Sequence, residues 1–173
     1  MPRAIIPMFF ISGALLVIVF IGAGIYAVFG GVHFGPGWVP VGSLQDIRRQ
    51  GVFYDRTHDV FVVALGEKPA ALYGRAAHLD QQVYFCESSG FFEEPIHGSK
   101  FDGEGAYAFG PARRGLDHVA IKVEKDQVAI DPSRVTPGLP RGATTPARPK
   151  GPFCDQAGGG AGPNPATGRF EAG

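Results

Sequence analysis

Between residues 40 and 131 the chain alternates short β-prone runs with turn-forming residues, and no stretch there keeps the apolar spacing of a long helix. The strongest run, Val60-Phe61-Val62-Val63-Ala64-Leu65, is stopped by Gly66-Glu67-Lys68-Pro69. Ala70-Ala71-Leu72-Tyr73 comes next as its return partner. Ala106-Tyr107-Ala108-Phe109 is a further short strand, closed by Gly110-Pro111. Two more runs, Val119 to Glu124 and Gln127 to Ile130, flank Lys125-Asp126, a spacing that predicts a hairpin. The one helix-like piece is Leu44 to Arg49. Such a pattern predicts a mainly β fold, a small β-sandwich or barrel.

On either side of this region the composition changes. From Ala4 to Gly31 there is no charged residue. A helix needs about 20 apolar residues to cross a bilayer, whereas a cleaved signal has a shorter apolar region. The expectation is a single transmembrane helix with a short N-terminal flank over 1–31, with cleavage near Gly22-Ala23-Gly24 as the alternative. Arg3 precedes the run, and Arg48 and Arg49 are the first basic residues after it. The positive-inside tendency then places the N-terminus in the cytoplasm and the rest outside the cell membrane. Residues 32–39 read as a Gly-rich hinge, 40–131 as the β domain, and 132–173 as a Pro/Gly-rich irregular tail. That tail is either disordered or an arm that orders on a partner. The formal net charge is zero, which excludes the basic face that nucleic acid binding needs. Neither a G-x-S-x-G elbow, a P-loop nor H-E-x-x-H is present. Glu93-Glu94 and Asp102 read as surface or loop-satisfied acids.

The stretch Glu94-Pro95-Ile96-His97-Gly98-Ser99-Lys100-Phe101-Asp102 resembles the second cluster-binding box of Rieske iron–sulfur proteins, C-P-C-H-G-S-x-F-D. Pro95, His97, Gly98, Ser99, Phe101 and Asp102 are in register with it. Upstream, Ala76-Ala77-His78-Leu79-Asp80-Gln81 is similar to the first box, C-T-H-L-G-C, through His78 and Leu79. The stretch from Gly110-Pro111-Ala112 to Leu116 resembles the family's segment downstream of the second box, and Val41 to Ile47 resembles the family's domain opening. The resemblance is to the membrane-anchored respiratory and photosynthetic type. It covers about half the chain, residues 40–131.

A Rieske [2Fe–2S] centre takes two thiolates on one iron and two imidazoles on the other. The resemblance puts His78 and His97 at the imidazole positions, and Ala76 and Glu94 at the thiolate positions. It puts Gln81 and Ile96 where the respiratory type has a disulfide between the loops. It therefore implies a Rieske-like domain with a degenerate cluster site and no cofactor. Alternatives are a [2Fe–2S] cluster held by non-standard partners, or zinc on His78, His97 and Glu94. The only two cysteines, Cys86 and Cys154, could form a disulfide in an oxidising compartment or could rebuild a two-Cys, two-His site. The expected role is a non-catalytic, structural or accessory subunit of a membrane electron-transfer complex of cytochrome bc or oxidase type. Its partners would be integral-membrane subunits and the lipid bilayer. The rival readings are an electron carrier or metal-binding protein using His78 and His97, and an extracytoplasmic ligand-binding module.

Overall fold

The computed structural model describes residues 18–21, 35–155 and 162–171. The chain divides into two compact units, Met1–His33 and Phe34–Gly173. Of the first unit, residues 18–21 form a helical turn whose four residues are all exposed. Among the described residues no helix is long and apolar enough to cross a membrane. The transmembrane helix expected over 1–31 is thus not supported. Crossing needs about 20 residues in one continuous helix, and the helix described there has four, the rest of the run lying outside the described residues. Of the expected hinge, residues 35–38 form a turn closed by the Trp38 amide donating to the Gly35 carbonyl (3.4 Å), and Val39 already belongs to a strand.

The second unit opens with β1 (Val39–Ser43) and the helix α1 (Leu44–Gln50). Ser43 caps α1 by accepting the Asp46 amide (3.2 Å), and Gly51, at φ 73°, ends it. The next strands are β2 (Val52–Asp55), β3 (Val60–Val63), β4 (Ala70–Tyr73), β5 (Tyr84–Cys86), β6 (Phe91–Glu93), β7 (Lys100–Phe101) and β8 (Tyr107–Phe109). After them come β9 (His118–Glu124), β10 (Gln127–Thr136), β11 (Gly162–Asn164) and β12 (Arg169–Glu171). Two six-stranded sheets result, one ordered β1-β10-β9-β4-β3-β2 and the other β11-β12-β5-β6-β7-β8. The turn between β9 and β10 is Lys125-Asp126, both at positive φ (47° and 69°), the conformation a two-residue hairpin loop requires.

β3 explains why its sequence is a continuous apolar run rather than an alternation. Phe61 and Val63 join a core with Leu72, Val83, Phe85, Phe92, Phe101 and Leu116 from both sheets. Val60 and Val62 join a second core with Ile47 of α1, Ala71, Val119, Val128 and Ile130. Alternate residues of a strand point to opposite faces, so a strand covered on both faces is apolar throughout.

The tail departs from the expected irregular segment. β10 runs on to Thr136, and β11 pairs antiparallel with β12. β12 adds to β5 in parallel through Arg169 and Phe85. Phe170 is buried, and the Arg169 guanidinium pairs with Glu87 and donates to the Val52 carbonyl. Local composition cannot show such pairing, because the receiving strand edge lies far away in the sequence.

Candidate functional site

Two loops meet at one end of the second sheet: 74–83, between β4 and β5, and 94–99, between β6 and β7. The first is closed by a bridge between Arg75 and Gln82 and by the Ala76 amide donating to the Gln81 carbonyl (2.8 Å). Leu79 and Asp80 turn its tip at positive φ. Beneath it sits Asp59, whose carboxylate accepts from Tyr54 Oη (2.8 Å), Arg75 Nε (2.6 Å) and Gln82 Nε2 (2.9 Å). The hydrogen bond to Asp59 holds the Arg75 guanidinium above its ordinary range. Burial, reinforced by the same carboxylate, pushes the Tyr54 hydroxyl up. The loop is thereby fixed by a polar hub on the preceding strands.

The second loop is organised by Glu94. Its amide donates to the Ser99 carbonyl (2.8 Å), and its carbonyl accepts from the Gly98 amide (3.0 Å). Gly98 holds φ 80°, which only glycine adopts without cost. The Glu94 carboxylate is fully buried and folds back on its own loop. Oε1 accepts the amides of Ile96 (2.6 Å) and His97 (2.9 Å), and Oε2 also accepts from the His97 amide (3.0 Å). Such a buried carboxylate is compensated by hydrogen bonds rather than by a full counter-charge. A third segment covers the loop. Gly110 approaches so closely that a Cβ there would meet Ser99 Cα at 2.5 Å, and Tyr107 Oη donates to the Gly110 carbonyl (2.6 Å).

These loops bring His78 and His97 together, with ring centroids 5.0 Å apart and planes nearly perpendicular. His97 Nδ1 lies 3.4 Å from Glu94 Oε2. Ala76 is buried, so a methyl group faces the interior at that position. Leu79 and Ile96 are exposed on the two loop tips. Ser99 Oγ is the one buried side-chain polar atom without a hydrogen-bond partner among the described residues. Cys86 and Cys154 are joined in a disulfide, so neither supplies a thiolate to the histidines. Among the described residues, the one set of three metal-type ligand atoms within 4.8 Å of one another is Cys86, Glu93 and Cys154, and two of those are spent in the disulfide. Among the described residues Glu94, His78 and His97 do not form such a set, although Glu94 Oε2 lies 3.4 Å from His97 Nδ1.

No family model matches the chain, and no curated protein matches it. Among solved structures it is similar to the cyanobacterial plasma membrane Rieske protein PetC3 from Synechocystis PCC 6803. The two are 28% identical with a TM-score of 0.47, over 53% of this chain and 97% of that one. It is also similar to the soluble domain of the Rieske protein II (soxF) from Sulfolobus acidocaldarius, at 15% identity and a TM-score of 0.43, over 65% and 85% of the two chains. These structural neighbours are Rieske domains.

The chain's own donor set does not fit a two-thiolate, two-imidazole cluster. Two imidazoles are in place, but at the resembled thiolate positions stand a methyl group and a carboxylate already committed to amides. Sequence reasoning singled out His78, His97, Ala76 and Glu94. Of the two readings given for Glu93, Glu94 and Asp102, surface or loop-satisfied acids, the structure shows the second for Glu94 and Asp102, and all three are buried. The available signal was their position: each sits at the end of a short strand, where loop amides need acceptors.

Proposed function

We propose that this chain is a Rieske-like domain without its cluster, acting as a non-catalytic structural or accessory subunit of a membrane electron-transfer complex of cytochrome bc or oxidase type. The observation that carries this reading is the state of Glu94. In the resembled family that position supplies a thiolate to iron. Here a carboxylate takes the amides of Ile96 and His97, so a protein group serves the loop at that position. The buried, unpartnered Ser99 hydroxyl supports the idea of a frame built around an acceptor that this chain does not supply. The Cys86–Cys154 disulfide favours an oxidising, extracytoplasmic compartment. The partners would be integral-membrane subunits, contacted through the exposed loop tips.

Anaerobic purification, then iron, sulfide and zinc assays with an EPR spectrum of the reduced protein, tests the reading. The expected result is less than about a tenth of an iron per chain, well below what a loaded two-iron centre gives. A stoichiometric cluster with a Rieske-type signal overturns it. Gentle extraction and native purification test the subunit role, which fails if the chain migrates alone.

A second reading, a metal-binding protein using His78 and His97, is favoured by the 5.0 Å approach of their rings. Imidazole is a good ligand for a divalent ion such as zinc. One equivalent of zinc lost together in His78→Ala and His97→Ala would select it.

A further inference from the structure

The strongest long-range feature outside the histidine loops is the way the tail is fastened across the second sheet. Residues 147–155 run over it as a strap. The Ala147 amide donates to Asp102 Oδ2 (2.9 Å), the Lys150 amide to the Ser89 carbonyl (2.9 Å), and Ser88 Oγ to the Pro152 carbonyl (2.8 Å). Phe153 stands edge-on to Phe91 (5.6 Å) and Phe109 (5.8 Å), with Lys100 Nζ 4.8 Å above its ring. At the end of the strap, Glu93 accepts the amides of Cys154 and Asp155 (3.2 Å each), and Asp155 pairs with Lys100. Cys154 is bonded to Cys86.

Glu93 and Lys100 are not arbitrary anchor points. They are partners across β6 and β7, and the loop 94–99 begins and ends on them. The strap therefore grips the base of the hairpin that carries His97. We infer that the Cys86–Cys154 disulfide is a redox latch on this strap, and that opening it loosens the Glu94–Ser99 loop. This stands whether or not the loop tip meets a membrane complex.

The chemistry is thiol–disulfide exchange with a dithiol reductant. Cys86 is fully buried and Cys154 partly exposed, so the reductant's thiolate attacks Cys154 Sγ. The S–S bond breaks and Cys86 leaves as a thiolate. The reductant's second thiolate then attacks its own sulfur in the mixed disulfide and releases Cys154. Two electrons and two protons pass to the chain, giving two thiols, and the reductant ends as a disulfide. Ser88 Oγ lies 3.1 Å from Cys86 Sγ and donates to Pro152 on the strap. Once the strap lifts, that hydroxyl is freed to donate to the Cys86 thiolate.

The test uses the full chain, oxidised and then reduced with dithiothreitol, with thiol titration to show that both cysteines are free. Two readouts are taken: tryptic cleavage after Lys150, and hydrogen exchange of the Ile96 and His97 amides. Both are expected to rise about tenfold or more on reduction and to return on reoxidation, with sheet circular dichroism unchanged. Asp155→Asn keeps the disulfide but weakens the grip on Lys100. In its oxidised form it should raise the Ile96 and His97 exchange part of the way. Unchanged cleavage in fully reduced protein overturns the latch. Faster cleavage with unchanged exchange at Ile96 and His97 overturns the coupling to the loop. Loss of the whole sheet signal on reduction shows a general staple and overturns both.

Discussion

Glu93 and Glu94 are consecutive, equally buried carboxylates that serve two different regions. Glu94 turns to its own loop and receives the amides of Ile96 and His97, two and three residues ahead. Glu93 receives the amides of Cys154 and Asp155 from the far end of the chain, with Ser89 Oγ at 2.8 Å and Lys100 Nζ at 3.6 Å. Glu93 is the last residue of β6 and Glu94 the first of the loop, so one backbone step separates a long-range tether from a local cap. The loop tip and its base are thus held by different devices, the tip by a local cap and the base on which it stands by the strap. At the tip, a carboxylate satisfies the amides directly. At the base, burial of an ion network depends on a covalently tied strap.

The sharpest way to break that division is Glu93→Ala. It leaves Lys100 buried with Asp155 as its remaining partner and strands two strap amides. Losing one member of a buried pair costs about 3–5 kcal/mol, readable as a lowered urea midpoint. Cleavage after Lys150 should accelerate as well. A cost within the range of ordinary surface substitutions would mean that the strap does not hold the base.

Glu94→Ala should cost less, about 1–2 kcal/mol, for two partly buried amides left without their acceptor. Its signature is local: exchange of the Ile96 and His97 amides rises while cleavage after Lys150 stays at the wild-type rate. Equal disturbance of both regions would show that tip and base are one unit.

The base also carries a pH response. Burial, the largest influence, pushes the Glu93 carboxyl above its ordinary range, against the amides of Asp155 and Cys154, Ser89 and Lys100. The folded state therefore holds this proton more tightly than the unfolded state. Its contribution is fully present below the usual carboxylate range and is lost as pH rises through the folded value. Urea midpoints should reveal that decline, and Glu93→Gln should flatten it. An unchanged profile in Glu93→Gln would assign the dependence elsewhere.

The smallest effect tests the tip's backbone. At Gly98 a Cβ would meet nothing within 4 Å, so Gly98→Ala should cost only the positive-φ penalty, about 1 kcal/mol. Gly110→Ala should cost more, because its Cβ would strike Ser99 Cα at 2.5 Å and the Gly98 carbonyl oxygen at 2.6 Å. Equal thermal shifts in the two variants would contradict that contact.

The sequence by itself determined the β character of the domain, because apolar runs ended by Gly, Pro and Asp encode strands locally. β3, β4, β9 and the Lys125-Asp126 turn were legible in this way, as was α1. The resemblance of the two boxes to the Rieske pattern named both histidines, and the structure places their ring centroids 5.0 Å apart. The long apolar run at the N-terminus predicted a membrane-crossing helix, and among the described residues no helix is long and apolar enough to cross. β12, the strap and the burial of Glu93 were decided only by tertiary structure. Each depends on a partner brought up from a distant part of the chain, and a carboxylate's own neighbours in sequence do not say whether amides or water will surround it. The same holds for Glu94. Its identity was plain in the sequence, but its work as an acceptor for its own loop emerged only when that loop closed over it.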